Sequence, residues 1–357
     1  MTGPAMGADP LAGSCPVPLT ETERVLLGHG SGGQLSAALI GEVLMPALGA
    51  AAPAGPMEDA AIVRVDDVDV VVSTDAYVVN PLFFPGGDIG ALAVHGTIND
   101  LAMRAAMPVG LAIAYIVEEG FPIDDLRRVA RSVGAAAEAA GVPVVTGDTK
   151  VVGHGAADGV FVISTGVGRR LAGSAPSAAR AAPGDVVILS GPIGAHGTAV
   201  LSVREGLGFD GDISSDTQPL HRLVEAMVAA GGSGLHTLRD PTRGGLASAL
   251  NEIAAASGVG IEISEPALPV AAPVAAACEI LGLDPTQVAN EGCLVAFVAA
   301  DVADAVLDAM RARPEAPMAV RIGEVLATNP GRVTVRTMVG SRRVLSMLVG
   351  EQLPRIC

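Results

Sequence analysis

The chain has 357 residues, half of them hydrophobic, which is enough apolar material for two cores. A net charge of −16 and only 2% aromatic residues exclude a basic, base-stacking surface, so nucleic acid is not an expected partner. No uninterrupted apolar run of about 18 residues is present to span a membrane, and the start, with no basic residue before Arg24 and with Pro4, Asp9 and Pro10, does not read as a secretory signal. Four cysteines, at 15, 278, 293 and 357, show no CxxC spacing; they point to a reducing compartment, and the cytoplasm is the expected location.

In chain order, residues 1–20 are rich in Gly, Pro and Ala without periodicity and read as a disordered extension. The pattern then predicts strands over 60–65 and 68–74, a helix over 89–104 and a buried strand over 109–117. A helix over 123–140 follows, begun by Pro122 and closed by Gly141, with strands over 142–146 and 160–167. Residues 169–184 are small, polar and Pro-containing, as a linker should be. The second series predicts strands over 185–189, 259–263, 294–298, 319–325 and 332–339, and helices over 197–205, 220–230, 245–257 and 302–313. Residues 340–357 have no period. The expected fold is α/β, an α+β layered arrangement of two α/β domains over 21–168 and 185–339 with a flexible C-terminal tail.

Several clusters carry chemistry. Gly28-His29-Gly30-Ser31-Gly32-Gly33 frees backbone amides to face an anion, although it is neither a Walker A loop nor a dinucleotide fingerprint and reads equally as a flexible loop. Asp59, Asp75 and Asp148 fall at the edges of predicted strands, and Asp100 sits in INDLA on the predicted helix over 89–104. Several carboxylates in one crevice repel one another unless a cation sits between them; hard oxygen ligands suit Mg²⁺, which bridges nucleotide phosphates. Each Asp alone reads as a cap or turn residue. Lys and Arg total 22, yet Lys occurs once, at position 150, two residues after Asp148. A lone ammonium there can touch a phosphate or act as a base, or it can simply pair with a carboxylate. Arg243, in DPTRGG at a predicted helix start, can fork onto an anion, and Glu291 in NEG precedes a buried strand as a candidate base. His95 and Asn99 share a helix face and read first as core residues. A cysteine at the last position, Cys357, is poorly suited to a structural role, because chain ends fray; a thiol on a loose arm suits a carrier.

With these residues in view, the chain resembles the HypE family of hydrogenase maturation factors, within the superfamily of aminoimidazole ribonucleotide synthetase and selenophosphate synthetase. The resemblance runs from about Val25 to Cys357 and rests on PLFFPGGDIGALAVHGTIND (81–100), GDTKVV (147–152), DPTRGGL (240–246), ANEGC (289–293) and the ending LPRIC. It implies an ATP-dependent carbamoyl dehydratase that converts an S-carbamoyl group on Cys357 to S-cyanate for the iron centre of [NiFe]-hydrogenase. It further implies ATP and Mg²⁺ held by Gly30, Ser31, Gly32, Gly33, Asp59, Asp75, Asn99, Asp100, Asp148 and Arg243, with Asp59, Asp75, Asp100 and Asp148 as metal ligands. Two protons must then leave nitrogen, and Glu291 and Lys150 are the candidate bases beside Cys357, Glu291 first because Lys needs a lowered pKa to act. The implied partners are a second copy in a homodimer, HypF as carbamoyl donor and a HypC–HypD complex as cyanide acceptor. One departure is Cys293, which follows NEG where the family is expected to carry Lys. A superfamily relative acting on a free small molecule, and a non-catalytic thiol carrier, are the competing readings; the first predicts that activity survives loss of Cys357, the second that ATP is never hydrolysed.

Overall fold

The computed structural model describes residues 24–53, 55–207, 213–348 and 355–357. The expected disordered extension over 1–20, with Cys15, lies outside the described residues, as does much of the expected tail. The first described segment is helical: α1 (Gln34–Ala38) passes through a π turn at Leu39–Leu44 into α2 (Met45–Leu48). The run Gln34–Ala51 is long and apolar enough to cross a membrane by length and composition. It is nevertheless interrupted by Ser36, Glu42 and Pro46. Val43, Leu44 and Leu48 on it are exposed.

The first sheet is built from β1 (Ala61–Val65), β2 (Val68–Tyr77), β5 (Ala106–Glu118), β6 (Val144–Val152) and β7 (Val160–Arg170), in the order β1-β2-β7-β5-β6. A short hairpin, β3 (Phe83–Phe84) and β4 (Gly87–Asp88), precedes α3 (Ile89–Met103), whose N-cap Asp88 accepts hydrogen bonds from Gly90 N and Ala91 N. Helix α4 (Ile123–Ala140) returns the chain from β5 to β6, the one parallel pair in this sheet. Alternation along the strands sorts residues onto two faces. Val71, Ser73, Asp75 and Tyr77 point to the helix side, where Tyr77, Leu111, Ile113 and Val162 pack with Leu92 and Ile98 of α3 and Val129 and Val133 of α4. The opposite face has no helix over it among the described residues; Thr74, Ala76, Thr146, Asp148 and Lys150 lie exposed there.

The second domain is a seven-stranded sheet, β8 (Val186–Leu189), β9 (Leu235–Arg239), β10 (Gly260–Ser264), β11 (Val295–Val298), β12 (Val320–Leu326), β13 (Val333–Arg336) and β14 (Arg342–Val344), in the order β14-β13-β10-β12-β8-β11-β9. One face is covered by α7 (Gly245–Ser257), with Leu246, Leu250 and Ile253 against Val187, Leu189, Val295 and Phe297. The other is covered by α6 (His221–Gly231) and α9 (Ala303–Arg311), packed on Ile188, Leu238 and Ala296. Helices α5 (Ala195–Arg204) and α8 (Ala272–Leu281) flank the sheet. The first domain's α3 is shared: Ala102 and Met103 join the α6–α9 core, so the helix carrying Asp100 is wedged between the domains. The sequence reading starts the mobile tail at 340, whereas Arg342–Val344 adds an edge strand antiparallel to β13, turned back through Gly340 at φ 82°.

Candidate active site

Three chain segments bring carboxylates to one point in the interdomain cleft. Asp59 lies on the approach to β1, Asp100 on α3, and Asp240 directly after β9; one ligand oxygen from each lies within 4.8 Å of the others. Arg239 pairs with Asp59 at 2.8 Å and also reaches Glu252, while Ser73 Oγ donates to Asp100 Oδ2 at 2.6 Å. Burial pushes all three carboxyls upward. For Asp59 the Arg239 guanidinium opposes it, and for Asp100 the neighbouring Asp240, Asp59 and Asp75 add to it. Asp240 is raised to about 6, with Arg239 again opposing. A cluster that burial and mutual repulsion both disfavour as anions is the donor set a small hard dication fits. Asp75 stands on the same face of β2 as Ser73 and acts electrostatically on Asp100, Asp240 and Glu291.

The start of α7 forms the floor. Gly244 and Gly245 both adopt positive φ, 74° and 61°, and a Cβ at Gly245 would lie 2.7 Å from the carbonyl oxygens of Thr286 and Val288. Only glycine fits this turn. The 28–33 loop lies against it: a Cβ on Gly32 would meet Arg243 Cβ at 2.5 Å, Ser31 Oγ donates to Gly28 O at 2.7 Å, and Gly32 N donates to Ser36 Oγ at 2.9 Å. Gly33 approaches Leu348, whose carbonyl accepts from Gln34 N at 2.9 Å. Glycine loop and helix N-terminus therefore face one another, an arrangement suited to phosphate.

The C-terminus closes the cleft from the other side. Arg355–Cys357 pair with the chain after β2: Val78 N donates to Cys357 O at 3.0 Å and Asn80 N to Arg355 O at 3.2 Å. Ile356 is buried among Tyr77, Val79, Phe84 and Ala289. The Cys357 thiol, pushed upward by burial, is held down in part by the Arg243 guanidinium, and Arg243 in turn owes its raised value chiefly to Cys357. Glu291 sits behind them, 3% exposed, its Oε1 without a partner and its carboxyl raised by burial and by Asp216. The NEG turn is fixed by neighbours that sequence reasoning does not single out. Asp216 accepts from Glu291 N at 3.1 Å and Gly292 N at 3.0 Å. Asn290 accepts from Gly194 N at 2.7 Å and donates to Pro241 O at 2.8 Å. Cys293, the departure noted above, is buried under a Ser190 Oγ contact of 3.5 Å.

Three expected site residues have other surroundings within the chain. Asp148 is partnered in register with Ala114, and through Ile163 with Ala76, so it points to the bare face of the sheet while Asp75 points to the helix side. Three strand spacings separate them, roughly 14 Å. Lys150 shares that bare face and pairs with Asp148 at 2.7 Å in solvent. Neither belongs to the carboxylate cluster of its own chain, which Asp240 joins instead. Asn99 is buried and its amide is committed to backbone, donating to Gln218 O and Glu291 O at 3.1 Å each and accepting from Leu220 N at 2.7 Å. It ties α3 to the second domain.

The sequence matches the profiles of the AIR synthase related protein, N-terminal domain over residues 57–170 and C-terminal domain over 182–336. The chain is 53% identical over 334 residues to carbamoyl dehydratase HypE of Cupriavidus necator, covering 94% of this chain and 95% of that one. The chain belongs to the HypE family. Among solved HypE structures, the chain in a HypE–HypF complex superposes with a TM-score of 0.82 at 45% identity, covering 87% of this chain and 100% of that one. A HypE in complex with ATP superposes with a TM-score of 0.78 at 44% identity, covering 94% and 100%. The fold of two such domains is thus that of HypE proteins.

Proposed function

We propose that this HypE family member dehydrates a carbamoyl group carried on its own C-terminal thiol: Cys357-S-C(=O)NH2 + ATP → Cys357-S-C≡N + ADP + phosphate, to supply the cyanide ligand of a [NiFe]-hydrogenase iron centre. The observation that carries this reading is the seating of Cys357 beside Arg243 and Glu291 in the cleft that also holds the Asp59, Asp100 and Asp240 carboxylates. Oxide is too basic to leave an amide, so the carbonyl oxygen must depart as phosphate, and the γ-phosphate of ATP supplies that path. Gly30, Ser31, Gly32, Gly33 and the start of α7 would face the phosphates, and Asp59, Asp100 and Asp240, flanked by Asp75, would hold Mg²⁺, which neutralises charge on phosphate oxygens when bound.

The residues of the chain do the rest. Arg243, whose guanidinium faces the sulfur, orients the carbonyl end of the adduct and offsets charge on its oxygen. Two protons must leave nitrogen as the triple bond forms. Glu291 is the first base: its Oε1 is unpartnered, and burial raises its carboxyl, which makes the carboxylate form a stronger base.

Lys150 and Asp148 enter through the homodimer. The bare sheet face, the edge strands β1 and β6 with exposed Val63, Val65, Val145 and Val151, and the exposed apolar side of 34–48 are surfaces that a second copy would cover. In such a pair Lys150 of the partner subunit would be the second base. HypF as carbamoyl donor and a HypC–HypD complex as acceptor complete the cycle, which we place in the cytoplasm, where the buried thiols of Cys278 and Cys293 stay reduced. Intact-protein mass spectrometry tests the reading: after the carbamoyl donor system acts, an adduct on Cys357 should lose the mass of one water when ATP is added. An adduct that persists with ATP, or that forms on Cys357→Ala, would overturn it.

A further inference from the structure

We infer that His196, set by Ser215, together with Arg204 forms a latch on the C-terminal peptide that positions the Cys357 thiol in the cleft; the inference deepens the dehydratase reading and rests on it. His196 is fully buried in the first turn of α5, and its Nε2 lies 2.8 Å from Ile356 O. A carbonyl oxygen can only accept, so Nε2 carries the proton and donates. Burial pushes the imidazole down to about 4, so the ring is neutral and Nδ1 is bare. Nδ1 therefore accepts from Ser215 Oγ at 2.8 Å, and Ser215 Oγ accepts in turn from Thr217 N at 3.2 Å. The relay runs one way, from Thr217 through Ser215 and the ring to the penultimate peptide of the chain. The Phe84 ring stands edge-on to the imidazole at 5.4 Å and fixes its plane.

Arg204, at the far end of α5, completes the hold. Its Nη2 donates to Arg355 O at 2.6 Å and its Nε to Asn80 O at 2.7 Å, so one guanidinium bridges the tail and the strand-like segment on which it lies. Eight residues separate Arg204 from His196, about 12 Å of helix, so α5 grips the peptide at two points. Both grips fall on main-chain oxygens and neither touches sulfur. A free and a loaded Cys357 can therefore be seated alike, with selectivity left to the buried Ile356. His196 and Arg204 are positioning residues, acting on the reaction through the peptide.

Alkylation of Cys357 by iodoacetamide, followed by peptide mass spectrometry, tests the latch without catalysis. His196→Ala should speed alkylation of Cys357 about tenfold, the factor for one hydrogen bond of ordinary strength. His196→Gln, which keeps a donor, should restore much of the protection. Arg204→Ala, at a half-buried helix end, should act in the same direction and keeps the test open should His196→Ala misfold. In single turnover both Ala variants should slow dehydration with the KM for ATP unchanged. Cys357 alkylation at the parent rate in both Ala variants overturns the latch, as does faster alkylation that only tracks a fall in melting temperature. If Cys357 protection follows the latch residues while the parent chain performs no dehydration, the latch stands and the proposed chemistry falls.

Discussion

Replacing Asp240 by Asn should make the metal-free protein more stable and at the same time abolish its response to Mg²⁺. Asp240 titrates at about 6 in the fold against an ordinary 3.8, because burial disfavours its charge more than Arg239 favours it. A shift of about 2 units corresponds to ~3 kcal/mol. The folded value is the higher one, so this contribution is fully present below the ordinary value and is lost as pH rises through about 6. Asp59 and Asp100 move in the same direction, also through burial, so the metal-free cluster weakens the fold increasingly from pH 4 to pH 7. The Asn variant removes one of these charges at nearly constant shape. Thermal melting of EDTA-treated protein at about pH 8 should place Asp240→Asn several degrees above the parent, converging with it as pH falls to about 4. Adding Mg²⁺ should raise the parent and leave the variant nearly unmoved. Equal melting of the two at pH 8 without metal, or an equal gain from Mg²⁺, would refute the assignment of Asp240 to a cation site.

The homodimer reading makes a sharper demand. Mixed dimers of a Lys150→Ala chain with a Cys357→Ala chain should regain about half of the parent activity, because the intact thiol then meets Lys150 of the partner subunit; a mixed dimer as inactive as either variant alone would place Lys150 in its own chain's cleft. Glu291→Gln should slow single-turnover dehydration by roughly 10²–10⁴-fold while leaving S-carbamoylation and ATP binding intact; a small effect would remove Glu291 as base. Asn99→Ala leaves Leu220 N without its acceptor and breaks two further interdomain bonds, so it should lower stability by about 2–4 kcal/mol in denaturant melts, with the affinity for ATP little changed in the folded fraction.

The legible parts of the site are those that sit in local patterns. The strand and helix periods of 60–65, 68–74, 89–104, 123–140 and 245–257 place β1, β2, α3, α4 and α7 where the structure has them, and Asp59, Asp75 and Asp100 take their positions from β1, β2 and α3. Asp148 shows the limit of strand-end reasoning: position along a strand is visible in sequence, but the face is decided by register against three other strands, and a shift of one residue reverses it. Asp240 is overlooked for a related reason. It follows Leu235–Arg239, a strand of five residues with no alternation to announce it, so the carboxylate reads as a helix cap. Asn99, next to Asp100, differs from it by about 100° around α3, which turns one toward the cation site and the other toward the second domain. His196 and Arg204 carry no sequence signal at all, since their shared partner is the C-terminal peptide 160 and 151 residues away, brought near only by the assembled cleft, and Ser215 acts only through His196.

Tracing the carbamoyl oxygen probes the central chemistry most directly. Protein loaded at Cys357 with a carbamoyl group carrying a heavy oxygen isotope, then given unlabelled ATP in ordinary water, should release inorganic phosphate bearing one heavy atom per turnover. Label recovered in water, with phosphate unlabelled, would contradict departure of the carbonyl oxygen as phosphate, and label kept on the protein would contradict dehydration of the tethered group altogether.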